Sequence, residues 1–343
     1  MIFVTGGTGL VGSHLLLSLV RQNDRVRALK RKVSRTDGVK KVFGYYVPDP
    51  ERFFSRIEWV EGDIHDIYSL EKGFQGVELI YHCAAVVSFE SRERKRILYN
   101  NIEGTANVVN AAISCGVKRI CHVSSNAALG TTIDGMAVTE ETGWVPSRKN
   151  SGYSESKFFS EAEVWRGVEE GLEAVVVNPS FIIGPGDWDR GSTTFFRLID
   201  RGLKFYTRGI TGFVDVRDVV DTMLLLTDSK NFEIAVNQKF LISAENVAYR
   251  DIFRQIAAAL GKPAPPYFAS GFLLAIAWRA AALWSWIIGK PARITREALT
   301  NSNAEVFYDG SKITRLFGFR YRSIPDAIAH TAACYIKDKT GDS

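Results

Sequence analysis

Tyr153 and Lys157 stand four residues apart in Tyr153-Ser154-Glu155-Ser156-Lys157, so on a helix a phenol and an ammonium share one face. A phenol with its ordinary pKa near about 10 is a poor proton donor or acceptor at neutral pH, and a neighbouring cation lowers that value by favouring the phenolate. The pair is therefore a candidate general acid/base. Because such pairs are common on helices for structural reasons, the rest of the chain has to supply what the acid/base would act on.

A second string, Thr5-Gly6-Gly7-Thr8-Gly9-Leu10-Val11-Gly12, follows a predicted strand and opens a predicted helix. Glycines permit a tight turn and a close approach of backbone N–H groups to a pyrophosphate, whose charge is stabilised at the helix N-terminus. This is the context of a dinucleotide fingerprint, with Gly6, Thr8, Gly9, Leu10, Val11 and Gly12 as cofactor contacts. At the end of the second predicted strand, Lys30-Arg31-Lys32 occupies the place where an NAD enzyme usually carries a carboxylate for the ribose hydroxyls. A guanidinium pairs in bidentate fashion with a 2′-phosphate, so Lys30 and Arg31 favour NADP(H) over NAD(H); a solvated basic loop is the alternative. Asp63 and Ile64, after the third predicted strand, are placed to meet the adenine, and Asp63 fits a helix cap equally well.

The elements that must position these groups alternate along the first half of the chain. Ile2–Thr5, Arg25–Leu29, Ile57–Glu61, Leu79–Cys83, Arg119–Val123 and Ala174–Asn178 are predicted strands, with predicted helices at Gly12–Arg21, Ile97–Cys115 and Tyr153–Glu170. That alternation predicts an α/β fold: a Rossmann doubly wound parallel sheet with helices on both faces and a smaller interleaved C-terminal substrate domain. Residues 1–180 form the dinucleotide-binding domain, 213–242 return to it, and 181–212 with 243–343 form the substrate-binding domain. The apolar stretch 268–288 is nearly long enough to span a bilayer, but Arg279 lies at its centre, where a charge is expensive. A lid or core helix is favoured there, then a helix in peripheral contact with a membrane surface, then a span.

The net charge of +5 over 343 residues is spread out apart from the Arg27–Lys41 cluster, so no nucleic-acid surface is expected. Cys83, Cys115, Cys121 and Cys334 have neither disulfide-framework density nor metal-ligand spacing. They read as thiols of a reducing compartment, the cytoplasm, and no signal peptide is read at Met1. The histidines are scattered without partner carboxylates, so no metal is expected.

The glycine string, Cys83-Ala84-Ala85, Asn101-Ile102-Glu103-Gly104-Thr105, Val123-Ser124-Ser125 and the Tyr153/Lys157 pair together resemble the extended short-chain dehydrogenase/reductase (NAD-dependent epimerase/dehydratase) family in order and spacing. Asn178-Pro179-Ser180, Gly184-Pro185-Gly186 and Phe213-Val214-Asp215-Val216-Arg217-Asp218-Val219 extend the resemblance over nearly the whole chain. It implies that Tyr153 is the general acid/base and that Lys157 binds the nicotinamide ribose and lowers the tyrosine pKa. It further implies that Ser125 hydrogen-bonds the reacting oxygen, with Ser124 in reserve. Asn101 would match the family's helix asparagine near the cofactor, although a helix cap explains an asparagine equally well. Ala84, Ala85 and Pro179 would lie along the cofactor.

Asn126 and Ala127 stand where 4,6-dehydratases carry an Asp-Glu pair, and Phe181 and Thr211 stand where nucleotide-sugar epimerases carry an asparagine and an arginine. What remains resembles the dihydroflavonol reductase and 3β-hydroxysteroid dehydrogenase-like branch. The implied activity is reduction of a ketone or aldehyde, or oxidation of the alcohol, on an apolar or ring-bearing small molecule lined by Phe181, Trp188, Phe195 and Tyr206. A nucleotide-sugar epimerase and a non-catalytic NADP(H)-sensing protein are the alternatives. The resemblance also implies a homodimer through the helices at 97–115 and 153–170.

Overall fold

The computed structural model describes residues 1–88, 90–132, 135–147, 150–270 and 303–341. The first half runs β1 (Ile2–Thr5), α1 (Leu10–Gln22), β2 (Val26–Lys30), α2 (Asp37–Gly44), α3 (Pro50–Phe54), β3 (Ile57–Glu61), α4 (Ile67–Gly73), β4 (Leu79–His82), α5 (Arg94–Ser114), β5 (Arg119–Val123), α6 (Gly152–Glu169) and β6 (Glu173–Pro179). It continues with β7 (Phe181–Ile183), α7 (Thr194–Asp200), β8 (Phe205–Tyr206), β9 (Ile210–Asp215), α8 (Val216–Thr227), α9 (Phe232–Ala235), β10 (Gln238–Ile242), β11 (Glu245–Ala248), α10 (Tyr249–Ala259), β12 (Tyr267–Phe268), α11 (Lys312–Phe317) and α12 (Ile324–Thr340).

Seven parallel strands form the central sheet in the order β10-β6-β5-β4-β1-β2-β3. Side chains alternate along a strand, and here both sets are apolar. Phe3, Ile80, Ile120, Ala174 and Val176 enter one buried cluster with Val108, Val109 and Ala112 of α5 and Val164 of α6. Their neighbours Val4, Tyr81, Cys121, Val175 and Val177 enter another with Leu15, Leu16 and Leu19 of α1 and Val219, Val220 and Met223 of α8. Two apolar faces demand two layers of helices, giving the doubly wound Rossmann fold. Chain order reverses between β1 and β4, which leaves a crevice beyond their carboxyl ends, the usual ligand position in such sheets.

Each of the six predicted strands forms within one residue at either end. Helix α5 starts three residues before the predicted Ile97, because its first turn, Arg94-Lys95-Arg96, is charged and carries no apolar period. Within 213–242, α8 packs on the large sheet and β10 is its seventh strand, parallel to β6. Phe213 and Val214 belong instead to β9, in a three-stranded sheet ordered β11-β9-β7. Only Ser180 separates β7 from β6, so this small sheet grows directly from the carboxyl edge of the large one. A third buried cluster, including Phe196, Phe213, Ile252, Ile328 and Tyr335, joins it to α7, α10 and α12.

Of the apolar stretch 268–288, Phe268 pairs in β12 with β8, whereas Phe272, Arg279 and the tryptophans at 278, 284 and 286 lie outside the described residues. Among the described residues no helix is long and apolar enough to cross a membrane. No group of three or more metal-ligating side chains occurs among them either, and all four cysteines are free.

Candidate active site

Helix α6 begins where it does because Ser151 caps it, its hydroxyl accepting the Ser154 amide at 3.0 Å. Ser154 Oγ then donates to the Ala127 carbonyl at 2.7 Å, which ties the first turn of the helix to the short turn Asn126–Ala128. Ser125 caps that turn, accepting the Ala127 amide at 3.2 Å. The two ties bring Tyr153 into a hydrogen bond with the Ser125 hydroxyl. Ser124 faces elsewhere, its Oγ donating to Glu161 Oε2 at 2.8 Å in a buried pocket. Of the two serines, Ser125 is the one beside the phenol.

The proton affinities differ from the sequence expectation in one respect. Burial pushes the Tyr153 phenol up and the Ser125 hydrogen bond only opposes this, so the net direction is upward. Lys157, one turn along, is buried and donates its Nζ to the Val123 carbonyl at 2.9 Å. Burial holds the Lys157 ammonium down to about 8, against the favourable charges of Cys83 and Glu161. The phenol thus retains its proton at neutral pH, the state of a proton donor.

Glu161, a further turn along α6, is a site residue that sequence reasoning missed. Its Oε2 accepts from Ser124 Oγ and from Asn178 Nδ2, both at 2.8 Å, and the same Asn178 amide donates to the Ser125 carbonyl at 3.1 Å. A buried carboxylate so satisfied fixes the ends of β5 and β6 against α6. The i, i+4, i+8 series Tyr153, Lys157, Glu161 was the available signal.

Asn101 is not a helix cap, since Glu93 holds that position of α5. Its Oδ1 accepts the Val86 amide at 2.7 Å, and its Nδ2 donates to the Val86 carbonyl and to Ser156 Oγ, both at 3.0 Å. It clamps the loop after β4 to the helix of Tyr153 and Lys157. Below them, Thr5 Oγ1 and Thr105 Oγ1 hold the two nitrogens of buried His82 at 2.7 and 3.0 Å. Burial keeps that imidazole neutral, down to about 3, so it works as a brace between β1, β4 and α5.

The β1–α1 turn has the shape a dinucleotide needs. Gly6 sits at φ +67°, and a Cβ there would lie 2.5 Å from the Ala84 nitrogen. A Cβ on Gly12 would lie 2.2 Å from the Gly6 carbonyl oxygen. The turn is therefore closed tightly, with its Gly9 amide on the Gly6 carbonyl at 2.9 Å. Thr8 and Gly9 are exposed at the lip, Leu10 and Val11 open the helix, and no side chain caps it. Uncapped first-turn amides in a crevice suit a pyrophosphate.

Lys30 ends β2 half-buried and Arg31 is exposed beyond it, with no carboxylate among the described residues paired to either. Asp63 does not cap a helix: its carboxylate accepts the His65 amide at 3.0 Å, and Asp66 caps α4 instead. Ile64 lies over α5, where a Cβ on Gly104 would meet its Cδ1 at 2.4 Å. Ala84 faces Gly6, with Ala85 next to it on the same loop, and Pro179 closes β6 beside β10.

The four substrate candidates are less open. Phe181 stacks on Phe195 with ring centroids 5.1 Å apart, and both pack against the third core cluster. Trp188 packs edge-on to Tyr335 and donates to Asp338 at 2.6 Å, on the side of the C-terminal helix. Tyr206 lies in β8 with Phe268 and the Arg250 guanidinium against its ring. In the Phe213–Val219 motif, Asp215 caps α8 and buried Asp218 accepts the Arg322 amide at 2.9 Å, so its carboxylates are anchors.

The sequence model of the NAD-dependent epimerase/dehydratase family matches residues 2–237. A putative dihydroflavonol 4-reductase of Synechocystis sp. is 30% identical over 332 residues, covering 95% of this chain and 92% of that protein. Sterol demethylase protein B of Methylococcus capsulatus is 30% identical over 268 residues, 76% of this chain and 75% of that one. Among solved structures, the crystal structure of gox2253 superposes with a TM-score of 0.78 at 27% identity, over 98% of each chain. On the family match and the full-length likeness to the reductase, the chain belongs to the NAD-dependent epimerase/dehydratase family, in the extended branch of the short-chain dehydrogenases/reductases.

Proposed function

We propose that the protein is an NADP(H)-dependent oxidoreductase that reduces a ketone or aldehyde of an apolar or ring-bearing small molecule, or oxidises the corresponding alcohol. The observation that carries this reading is the Tyr153 phenol held on Ser125, one helical turn from Lys157. A bound nicotinamide supplies or accepts the hydride. Tyr153 gives its proton to the substrate oxygen, and Ser125 hydrogen-bonds the same oxygen as negative charge develops there. The Lys157 ammonium stands ready to bind the nicotinamide ribose. The dihydroflavonol- and sterol-related names of the relatives support a ring-bearing substrate. The direct test is NADPH oxidation by the purified protein over a panel of cyclic and aromatic ketones and aldehydes; tight NADPH binding with no turnover on any of them would reject an oxidoreductase.

The preference for NADP(H) rests on Lys30 and Arg31. Charge-assisted hydrogen bonds are worth about 1.5–3 kcal/mol, so Arg31→Glu is expected to weaken NADPH binding by roughly ten- to a hundredfold while leaving NADH binding unchanged or improved. Fluorescence titration with both nucleotides measures this. Equal losses for the two would remove Arg31 from the 2′-phosphate.

The proposal includes a homodimer through α5 and α6, which present Tyr99 at 60% exposure and Phe159 at 41%. Sedimentation should give a dimer that Tyr99→Glu with Phe159→Glu converts to monomer; a monomeric parent protein refutes it.

A further inference from the structure

Strands β8 and β12 form a two-residue parallel pair apart from the two larger sheets, with Phe205 opposite Tyr267 and Tyr206 opposite Phe268. Successive side chains of a strand point to opposite faces, and Tyr206 packs against the third core cluster, so Phe205 and Tyr267 face outward. Their ring centroids lie 5.9 Å apart, and the two residues are 49% and 60% exposed. Leu198, 41% exposed, stands just before them in α7, its carbonyl accepting the Leu203 amide at 3.0 Å. One exposed aromatic is ordinary, whereas two side by side with a leucine close in sequence begin an apolar patch.

The same strand pair joins two segments, 197–209 and 249–268, that hold seven lysines and arginines against two aspartates. That excess of five equals the net charge of the whole chain, so the remainder is neutral in sum. Sequence order hides the cluster, because β9 through β11 separate its halves. Three of the seven cations are paired, Arg197 with Asp189, Arg254 with Asp251 and Lys262 with Asp200. The other four are exposed, and no carboxylate among the described residues pairs with them. Arg201 and Lys204 precede Phe205 in the turn out of α7, while the Arg208 and Arg250 guanidinium groups lie over the Phe268 and Tyr206 rings at 4.0 and 5.3 Å.

We propose that this face docks on the surface of an anionic lipid bilayer, the aromatic pair entering the headgroup region and the four unpaired cations meeting its negative charge. Tyrosine favours that depth, and each lysine or arginine near an anionic membrane adds attraction. A bilayer fits better than a nucleic acid, because from Phe268 the sequence runs straight into the apolar stretch 268–288. Residues 271 onward of that stretch lie outside the described ones and form no part of the proposed face. An apolar substrate of the class proposed above would dissolve in the same bilayer. Docking requires neither that substrate nor turnover, so it stands or falls apart from the oxidoreductase reading.

Co-sedimentation of the full chain with vesicles of phosphatidylcholine mixed with phosphatidylserine, and with vesicles of phosphatidylcholine alone, tests this. Binding is expected to the first and not the second, and to vanish in concentrated salt, where charges are screened beyond about 3 Å at 1 M. Arg201→Gln with Lys204→Gln should weaken it by about fivefold for each cation, roughly twenty-five-fold together. Thermal unfolding should stay near that of the parent, since both side chains are exposed. Phe205→Ser with Tyr267→Ser should weaken binding by at least about tenfold. Equal binding to both kinds of vesicle, or undiminished binding in the glutamine variant, would place the contact elsewhere and overturn the proposal. So would retention on polyuridine RNA without any binding to vesicles, which would make the cluster a nucleic-acid surface, or no binding to either.

Discussion

Replacing Tyr153 by phenylalanine is expected to lower kcat/KM for any carbonyl substrate the protein reduces by about 10²–10⁴-fold, the range a positioned acid/base contributes. The substitution keeps the ring and removes only the hydroxyl and its hydrogen bond with Ser125, so the fold and the glycine turn should be untouched. NADPH affinity should therefore change far less than turnover. Steady-state kinetics with a titration of NADPH separates the two, and unchanged turnover would dismiss the phenol as the proton donor. The same profile carries a pH signature. The Lys157 ammonium, held down to about 8 by burial, is present below that pH and lost as pH rises through it. Because kcat/KM reports groups of the free enzyme, it should fall through the same region, and Lys157→Met should abolish that inflection along with most of the rate.

The scaffold of this chemistry was legible because it is written in local patterns. Apolar runs such as Ile2–Thr5 and Arg119–Val123 are buried on both faces and bounded by turns, so their period and length identify them without tertiary information. The glycine turn was readable for a similar reason, since tight closure between Gly6 and Gly12 admits no side chain. What stayed hidden depends on contacts between distant segments. Glu161 reads as one more helix glutamate until β5 and β6 bring Ser124 and Asn178 to it. The direction of the Tyr153 shift was missed for the same reason. The sequence places a cation one turn away, but only the fold shows that Lys157 is turned to Val123 and that burial of the phenol outweighs its hydrogen bond with Ser125. Aromatic composition does not by itself separate a substrate wall from a core, because Phe181, Phe195 and Trp188 are also what a small sheet needs to pack on its helices.

The glycine turn offers the other large effect. Gly12→Ala would place a Cβ 2.2 Å from the Gly6 carbonyl oxygen and 2.8 Å from both the Gly6 carbonyl carbon and the Gly7 Cα. These are backbone atoms, so no rotamer relieves the clash, and either the turn or the first turn of α1 has to move. The turn cannot retreat toward β4, because Gly6 already fills that space against Ala84. The helix start must move instead, and its amides leave the position in which they face a pyrophosphate. NADPH binding is expected to weaken by at least about a hundredfold, equivalent to roughly 2.7 kcal/mol, and overpacking should lower stability by about 1–3 kcal/mol. Gly9→Ala is the informative control. Its Cβ would meet only the Gly6 oxygen, at 3.3 Å, and Gly9 is exposed at the lip of the crevice. It should leave thermal unfolding near that of the parent while still weakening NADPH binding, by intruding on the ligand and not on the fold. Calorimetric unfolding and nucleotide titration of both variants separate the two mechanisms. Parent-like NADPH affinity in Gly12→Ala would mean that the nucleotide is not held at this helix end.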